Sequence, residues 1–197
     1  MVRAAVFVSG GGTNFQALID NQDLKSCVQI AACVSNKPGV FALERAEKAD
    51  IPAKVFSLSE FGGGRDKAIL SWLIEERIDM IILAGYLSMV GDCLLQRYEG
   101  RIINVHPSLI PSFCGKGYYG LRVHKEALLR GVKITGATVH FVNNITDGGE
   151  IILQKAIEVK DNDTPETLQQ RVMEEAEWVI LPRAARMVAE GIISTPQ

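Results

Sequence analysis

The chain alternates short apolar runs with segments of helical spacing, and this alternation constrains the fold more than any other feature. The apolar runs are typical of strands buried on both faces; they cover residues 4–8, 30–35, 53–56, 80–83 and 102–105. The segments between them have helical composition or spacing; they are residues 15–19, 41–49, 67–74 and 93–98. Strand followed by helix, repeated along a chain, predicts a parallel sheet covered by helices on both faces.

The last third of the chain has a different pattern. Residues 134–142 and 151–159 form longer runs rich in β-branched side chains. Residues 143–149 between them contain Asn, Asp and Gly, which favour turns, so they predict a hairpin-like connection.

A final helix is predicted to begin at Thr164, Pro165 and Glu166, because Thr is a good N-cap and Pro suits the first helical position. We expect Pro182 to kink or divide this helix and Gly191 to end it. The predicted fold class is α/β: a single domain over residues 1–197, with a Rossmann-like, mostly parallel sheet flanked by helices and a C-terminal β-hairpin and long helix.

Composition excludes several classes of function. The net charge of −2, from 21 basic and 23 acidic residues without a cationic run, gives no electrostatic footprint for nucleic acid. No apolar run approaches the ~18 residues of a membrane span. We expect a cytoplasmic protein with reduced thiols, because no secretory leader is recognised and no C-x-x-C spacing occurs; the cysteines are Cys27, Cys33, Cys93 and Cys114.

The segment from Asn104 to Pro111 places an amide and an imidazole together where a strand ends. Side chains alternate between the two faces of a strand, so Asn104 and His106 project to the same side. Pro107 cannot donate to a sheet, so the chain leaves the sheet directly after His106. Open α/β sheets bind ligands outside the carboxyl ends of their strands, which predicts a ligand site here.

The turn at residues 9–14, Ser-Gly-Gly-Gly-Thr-Asn, follows the first strand and is typical of a phosphate cradle. Its glycines let backbone amides approach an anion, and the next helix contributes free N–H groups. Phe15 stands where a dinucleotide motif needs a third glycine, and no Lys-Ser or Lys-Thr follows as in a P-loop, so NAD and ATP are disfavoured. A tight turn without a ligand stays open as an alternative.

Three further residues have alternative interpretations. His106 alone fits a hydrogen-bonded structural histidine as well as a catalytic one, and the neighbouring Asn104 favours the catalytic one. His140 fits either a buried, hydrogen-bonded imidazole or a member of the same site, and we expect it to support the site. Asp147 alone fits a turn former. A metal site made of His106, His140 and Asp147 is disfavoured, because they lie on separate elements without typical ligand spacing.

Five motifs together resemble the phosphoribosylglycinamide formyltransferases, also called glycinamide ribonucleotide transformylases, which are folate-dependent enzymes. They are Ser-Gly-x-Gly-Thr-Asn at 9–14, Leu-Ala-Gly-Tyr at 83–86, Asn-Val-His-Pro-Ser-Leu-Ile-Pro at 104–111, Gly-Ala-Thr-Val-His-Phe-Val at 136–142 and Asp-Gly-Gly at 147–149. Similar methionyl-tRNA formyltransferases and formyltetrahydrofolate deformylases carry an additional domain, for which we expect no room in 197 residues.

The resemblance implies a role for each matching position. Asn104, His106 and Asp147 correspond to the catalytic residues of the family. Glu177 corresponds to an acid that holds the ribonucleotide. Helical periodicity alone places it on a solvated face, opposite the apolar stripe formed by Leu168, Val172 and Val179. The ribonucleotide phosphate site corresponds to Gly12, Thr13 and Asn14. The folate-binding residues correspond to Arg65, Leu87, Ser88, Met89, Val90 and Asn104.

The chain departs from the usual family pattern at three places. Ser88 replaces an Arg of many members, and Trp178 replaces a His, which affects the expected contacts to the folate tail and the ribose. Residues 113–120 form a loop that is longer than in some relatives and is rich in glycine and aromatic residues. We expect it to lie near the site and to act as a lid.

The resemblance implies transfer of a formyl group from 10-formyltetrahydrofolate to the amine of glycinamide ribonucleotide, in purine biosynthesis and without a metal. We expect small-molecule substrates, no nucleic acid or membrane partner, and a monomer or homodimer. Two alternatives stay open: a minimal folate deformylase, and a nucleotide-binding regulatory module without chemistry. The coexistence of Asn104, His106 and Asp147 disfavours the regulatory module.

Overall fold

The computed structural model describes residues 1–193, and its strands agree with the sequence prediction. All seven predicted strands are present, and their ends differ from the prediction by at most two residues. They are β1 (Val2–Val8), β2 (Val28–Ser35), β3 (Ala53–Val55), β4 (Met80–Leu83), β5 (Ile102–His106), β6 (Ile134–Phe141) and β7 (Ile151–Glu158).

The four predicted helices between the parallel strands are also present. Three helices were not predicted: α2 and α4 have four residues each, and α7 follows a glycine-rich loop without a side-chain cap. The first seven helices are α1 (Thr13–Asp20), α2 (Gln22–Lys25), α3 (Phe41–Lys48), α4 (Leu58–Phe61), α5 (Arg65–Glu75), α6 (Asp92–Arg97) and α7 (Leu121–Arg130). Within the described residues, no helix combines the length and apolar character needed to cross a membrane.

The sheet has the strand order β3-β2-β1-β4-β5-β6-β7. The strands from β3 to β5 run parallel, whereas β6 is antiparallel to β5 and to β7. The strand order reverses between β1 and β4, so the loops that follow these two strands flank a switch point, where open α/β sheets form ligand crevices. The predicted α/β class with a Rossmann-like, mostly parallel sheet and a C-terminal hairpin is confirmed.

Two apolar cores cover the two faces of the sheet. On one face, Val6 of β1 packs with Phe15 of α1 and with Leu181 in the C-terminal helical region. On the other face, Phe7 packs in a cluster with Ile69 of α5. This coverage explains why the central strands are apolar throughout rather than alternating.

The C-terminal helical region consists of α8 (Pro165–Val172), a π-helical turn (Met173–Glu177) and α9 (Trp178–Ala189). Thr164 caps α8 with its side chain, as predicted. Pro182 was predicted to kink or divide the helix, and it does not divide it: α9 continues through Pro182 and the irregular turn lies before it. Gly191 has a φ of 68° directly after the helix and ends it, as predicted.

Candidate active site

A cleft of about 300 Å³ opens at the carboxyl ends of β4 and β5. Its lining comes from several parts of the chain: the ends of these strands and the loop after β4, the first turn of α1, the loop before α7 and α7 itself, β6 with its connection to β7, and the C-terminal helical region. The polar residues that converge in it include Asn14, Asn104, His106, His140, Asp147 and Glu177.

Asn104 and His106 lie on one face of β5, as the alternation predicted. In the antiparallel register, Asn104 lies opposite His140, and His106 lies opposite Thr138. The amide nitrogen of Asn104 lies 3.1 Å from Nε2 of His140. Nδ1 of His140 lies 2.7 Å from the carbonyl of Phe141, which can only accept, so Nδ1 carries the proton and Nε2 accepts from Asn104. One N–H of the Asn104 amide is thus held by His140, and the second is left for a ligand.

Asp147 lies between the two imidazoles. Its carboxylate oxygens are 3.6 Å from Nδ1 of His106 and 3.7 Å from Nε2 of His140. The backbone at Asp147 has a φ of 54°, a left-handed conformation that Asp and Asn tolerate better than other residues. The residue therefore forms a turn and contributes a charge to the site, so its two interpretations are compatible.

The protonation of this group follows from burial and charge. Burial lowers the pKa of the His106 imidazole below its ordinary value of 6.5, although the Asp147 carboxylate and the Phe113 carbonyl act in the opposite direction. Burial raises the pKa of Asp147, but the contacts with His140, His106 and the N–H of Gly115 lower it by more. The pKa of Asp147 therefore lies below its ordinary value, and the carboxyl is ionised at neutral pH. At pH 7 the free site therefore contains a neutral His106 beside an ionised Asp147.

The loop at residues 113–120 contacts both of these groups through its backbone. Nε2 of His106 lies 2.9 Å from the carbonyl of Phe113, and the N–H of Gly115 donates to Asp147 at 2.8 Å. A neutral imidazole has one N–H and donates to either Phe113 or Asp147, whereas an imidazolium donates to both. The surroundings of His106 are thus arranged to stabilise its protonated form once it arises.

The glycine turn lies at the edge of the cleft, and only Asn14 of the predicted phosphate residues lines the cleft itself. Thr13 donates through its hydroxyl to the sulfur of Met173 at 3.7 Å. Gly12 has a φ of 72°, and a Cβ there would lie 2.7 Å from the Cβ of Ala42. Gly12 is therefore required by the fold, because α3 packs directly against it.

Glu177 does not lie on a solvated face, which corrects the prediction from periodicity. Its side chain is 6% exposed, whereas Val179, predicted to belong to the buried stripe, is 46% exposed. The π turn is the physical reason: the N–H of Trp178 reaches the carbonyl of Met173, so the turn contains an extra residue. One extra residue rotates everything after it by about 100° relative to a regular α-helix.

The carboxylate of Glu177 accepts a hydrogen bond from the side-chain amide of Asn14. Burial raises the pKa of Glu177 from 4.5 to about 7, and the Asn14 contact opposes this shift. The two residues come from opposite ends of the chain, and together they form the wall of the cleft next to the glycine turn.

Leu87, Ser88, Met89 and Val90 line the cleft on the side of β4. The N–H of Leu87 donates to the hydroxyl of Ser9, which joins the two loops at the switch point. Arg65 is not among the lining residues: it is buried, lies 3.0 Å from Asp66 and donates to the carbonyl of Met89 at 3.2 Å.

Sequence reasoning missed His124, which lies on α7 and lines the cleft. Its ring is fully buried, and neither nitrogen has a partner within the described residues. Burial lowers its pKa to about 4. No local pattern marks His124, because α7 itself was not predicted. Among residues 1–193, no set of three or more His, Cys, Asp or Glu side chains is arranged to hold a metal ion, and all four cysteines are free.

Comparison with known proteins gives consistent matches. The model of the formyl transferase family matches residues 2–184. The phosphoribosylglycinamide formyltransferase of Bacillus subtilis is 41% identical over 179 residues, which cover 87% of this chain and 87% of that protein. The human trifunctional purine biosynthetic protein adenosine-3 is 42% identical over 194 residues, which cover 97% of this chain and 19% of the human protein. The chain therefore spans about a fifth of that relative.

A solved structure agrees closely with this fold. Glycinamide ribonucleotide transformylase 1 from Symbiobacterium toebii has a TM-score of 0.89 and 38% sequence identity, and the match covers 97% of this chain and 89% of that chain.

Proposed function

Because the chain belongs to the formyl transferase family, we propose that it transfers the formyl group of 10-formyltetrahydrofolate to the amine of glycinamide ribonucleotide. The products are formylglycinamide ribonucleotide and tetrahydrofolate, as in purine biosynthesis, and residues 1–197 act as a single formyltransferase domain. The observation that carries this proposal is the meeting of Asn104, His106 and Asp147 in one cleft. An amide donor, an imidazole and a carboxylate are the groups that acyl transfer to an amine requires.

Attack of the amine on the formyl carbon places negative charge on the formyl oxygen. The free N–H of Asn104 is oriented for this oxygen by the contact of its other N–H with His140. Once it is protonated, His106 contributes the second donor, because its side chain projects from the same strand face as Asn104. Donors that are fixed before reaction, in a site that excludes water, stabilise such a charge more than water does.

The attacking amine becomes positively charged and must lose a proton. The neutral His106 accepts this proton, and the carboxylate of Asp147 at 3.6 Å stabilises the resulting imidazolium. The proton then passes, directly or through a water, to the departing folate nitrogen, which leaves as an amine. The bond to the substrate amine forms first, and the formyl carbon–nitrogen bond to the folate breaks when the oxyanion returns to a carbonyl. The formyl group therefore passes directly between the two nitrogens, without a covalent enzyme intermediate.

The two substrates approach from opposite sides of the catalytic residues. On the ribonucleotide side, Gly12, Thr13 and Asn14 hold the phosphate, and Glu177 binds the remainder. On the folate side, Leu87, Ser88, Met89 and Val90 form the binding wall together with Asn104. Arg65 acts on this wall through the carbonyl of Met89.

One assay tests this proposal: incubation of the protein with 10-formyltetrahydrofolate, with and without glycinamide ribonucleotide, followed by identification of the formylated product. We expect formylglycinamide ribonucleotide to form only when both substrates are present. Release of formate without ribonucleotide would instead identify a folate deformylase. Binding of ribonucleotide without any loss of the formyl group would identify a regulatory module.

We further propose that the protein acts in the cytoplasm as a monomer or homodimer, without nucleic acid or membrane partners. The net charge of −2 supports the absence of a nucleic acid surface. Light scattering after gel filtration, with and without substrates, determines the oligomeric state.

A further inference from the structure

The outer side of the glycine turn is held by α3 and α1 through three consecutive carbonyl groups. The carbonyl of Gly10 accepts from the N–H of Ala42 at 3.2 Å, and that of Gly12 accepts from the N–H of Gln16 at 2.9 Å. Between them, the carbonyl of Gly11 accepts from Nε of Arg45 at 2.8 Å. Only the central contact comes from a side chain, and that side chain carries a positive charge.

These contacts fix the direction of the amides in the same peptide units. In a trans peptide the C=O and N–H groups point in opposite directions. Holding the carbonyls of Gly10, Gly11 and Gly12 toward the helices therefore turns the N–H groups of the following residues, including Thr13, to the other side. Among residues 1–193 the N–H groups of Gly11, Gly12 and Thr13 have no hydrogen-bond acceptor. Three oriented and unpaired N–H groups in succession form a concave site for an anion.

Arg45 is itself held in place by two other neighbours. Its Nη1 donates to the side chain of Gln16 at 2.9 Å. Its guanidinium carbon lies 4.9 Å from the ring centre of Phe41, in cation–π contact. With Nε on Gly11, the guanidinium group is immobilised directly behind the turn, where its charge also adds to the positive end of α1.

We propose that Arg45 is a positioning residue for the phosphate of the ribonucleotide, acting through the carbonyl of Gly11. This proposal rests on the proposed function, since it assigns the phosphate to the glycine turn. Arg45 fixes the peptide between Gly11 and Gly12, so that the N–H of Gly12 meets the phosphate without a reorganisation cost. Arg45 also places a positive charge behind the turn. Among the described residues, no other side chain donates to the carbonyls of Gly10, Gly11 and Gly12.

The test compares two substitutions at position 45 with a charge-matched control. Arg45→Met keeps the apolar stem and removes the hydrogen bond and the charge, whereas Arg45→Lys keeps the charge and removes the guanidinium fork. Lys48→Met is the control, because the Lys48 ammonium lies 5.7 Å from the same Phe41 ring but makes no contact with the turn. Each variant is assayed with glycinamide ribonucleotide and with the corresponding ribonucleoside, which lacks the phosphate.

We expect Arg45→Met to raise the KM for the ribonucleotide about 10- to 100-fold, since small displacements of binding groups have effects of this order. The KM for folate and the kcat at saturation stay within about twofold, and the ribonucleoside is used equally well by wild type and variant. Arg45→Lys retains the cation and gives a smaller rise in this KM. It also keeps the proposal testable if Arg45→Met does not fold. Equal effects of Arg45→Met and Lys48→Met, or equal losses with ribonucleotide and ribonucleoside, overturn the proposal.

Calorimetric titration with ribose 5-phosphate separates this proposal from the proposed function. We expect wild type to bind it and Arg45→Met to bind it at least about tenfold more weakly. If wild type binds ribose 5-phosphate but transfers no formyl group to glycinamide ribonucleotide, the role of Arg45 is intact and the formyltransferase assignment is refuted. Absence of binding to wild type, or unchanged binding by Arg45→Met, refutes the role of Arg45 in either case.

Discussion

Replacing Glu177 with Gln removes one titrating group from the cleft and keeps its shape. The side chain is buried, and its pKa is raised from 4.5 to about 7 by burial. Gln retains an oxygen that accepts from the Asn14 amide. The substitution therefore isolates the free energy of ionising a buried carboxyl.

The sign and size of the effect follow from linkage. In the unfolded chain Glu177 releases its proton near pH 4.5, whereas in the folded protein it does so near pH 7. Between these values the folded state binds more protons, so its stability falls as the pH rises, and the loss is complete above pH 7. At about 1.4 kcal/mol per pKa unit, the shift corresponds to about 3 kcal/mol.

Urea unfolding of wild type and Glu177→Gln at pH 5, 6, 7 and 8 measures this difference. We expect Gln to stabilise the protein relative to wild type by about 2 to 3 kcal/mol more at pH 8 than at pH 5, because a small part of the loss has already occurred at pH 5. Glu174→Gln is the matched control, because Glu174 lies in the same π turn and is exposed; its relative stability stays nearly constant with pH. Parallel pH profiles for wild type and Glu177→Gln would refute a raised pKa at this position.

Three further predictions concern the remaining site residues. Asp147→Asn tolerates the φ of 54°, so its thermal stability changes little, but its turnover in single-turnover assays falls on the order of 10²- to 10³-fold, because a charge at 3.6 Å is lost. Asn104→Ala and His106→Ala each lower turnover by about 10²- to 10³-fold. The double variant loses less than the product of the two single losses, since both residues act on one transition state. A double loss equal to that product would contradict the proposal that both residues stabilise the same oxyanion. Gly12→Ala lowers the free energy of unfolding by about 2 to 4 kcal/mol through strain and overpacking, whereas Gly11→Ala, with open space around its Cβ, changes it by less than about 0.5 kcal/mol; equal effects contradict this reading of the turn.

The strands and the central pair of the site were predictable because they depend on local rules. Buried parallel strands are continuously apolar, and the period of two in β5 is enough to place Asn104 and His106 on one face. Their proximity to His140 follows once β6 pairs antiparallel with β5.

The position of Glu177 could not be predicted, because periodicity assumes a constant rotation per residue and the π turn breaks that assumption. Whether a Cβ at position 12 would clash depends on where α3 packs, and that is a tertiary contact. α7 begins after a glycine-rich loop without a capping side chain, so its start has no sequence signal.

The carbonyl of Phe113, which lies 2.9 Å from His106 in the free protein, makes ligand entry an exchange of one acceptor for another. A ligand that brings its own carbonyl oxygen to His106 replaces this contact, and the number of hydrogen bonds at the imidazole is unchanged. When Nε2 carries the proton, a ligand that displaces Phe113 without offering such an oxygen leaves a buried donor unpaired, which typically costs about 1 to 3 kcal/mol. Inhibitors of this site therefore gain by carrying an acceptor that matches the position of the Phe113 carbonyl.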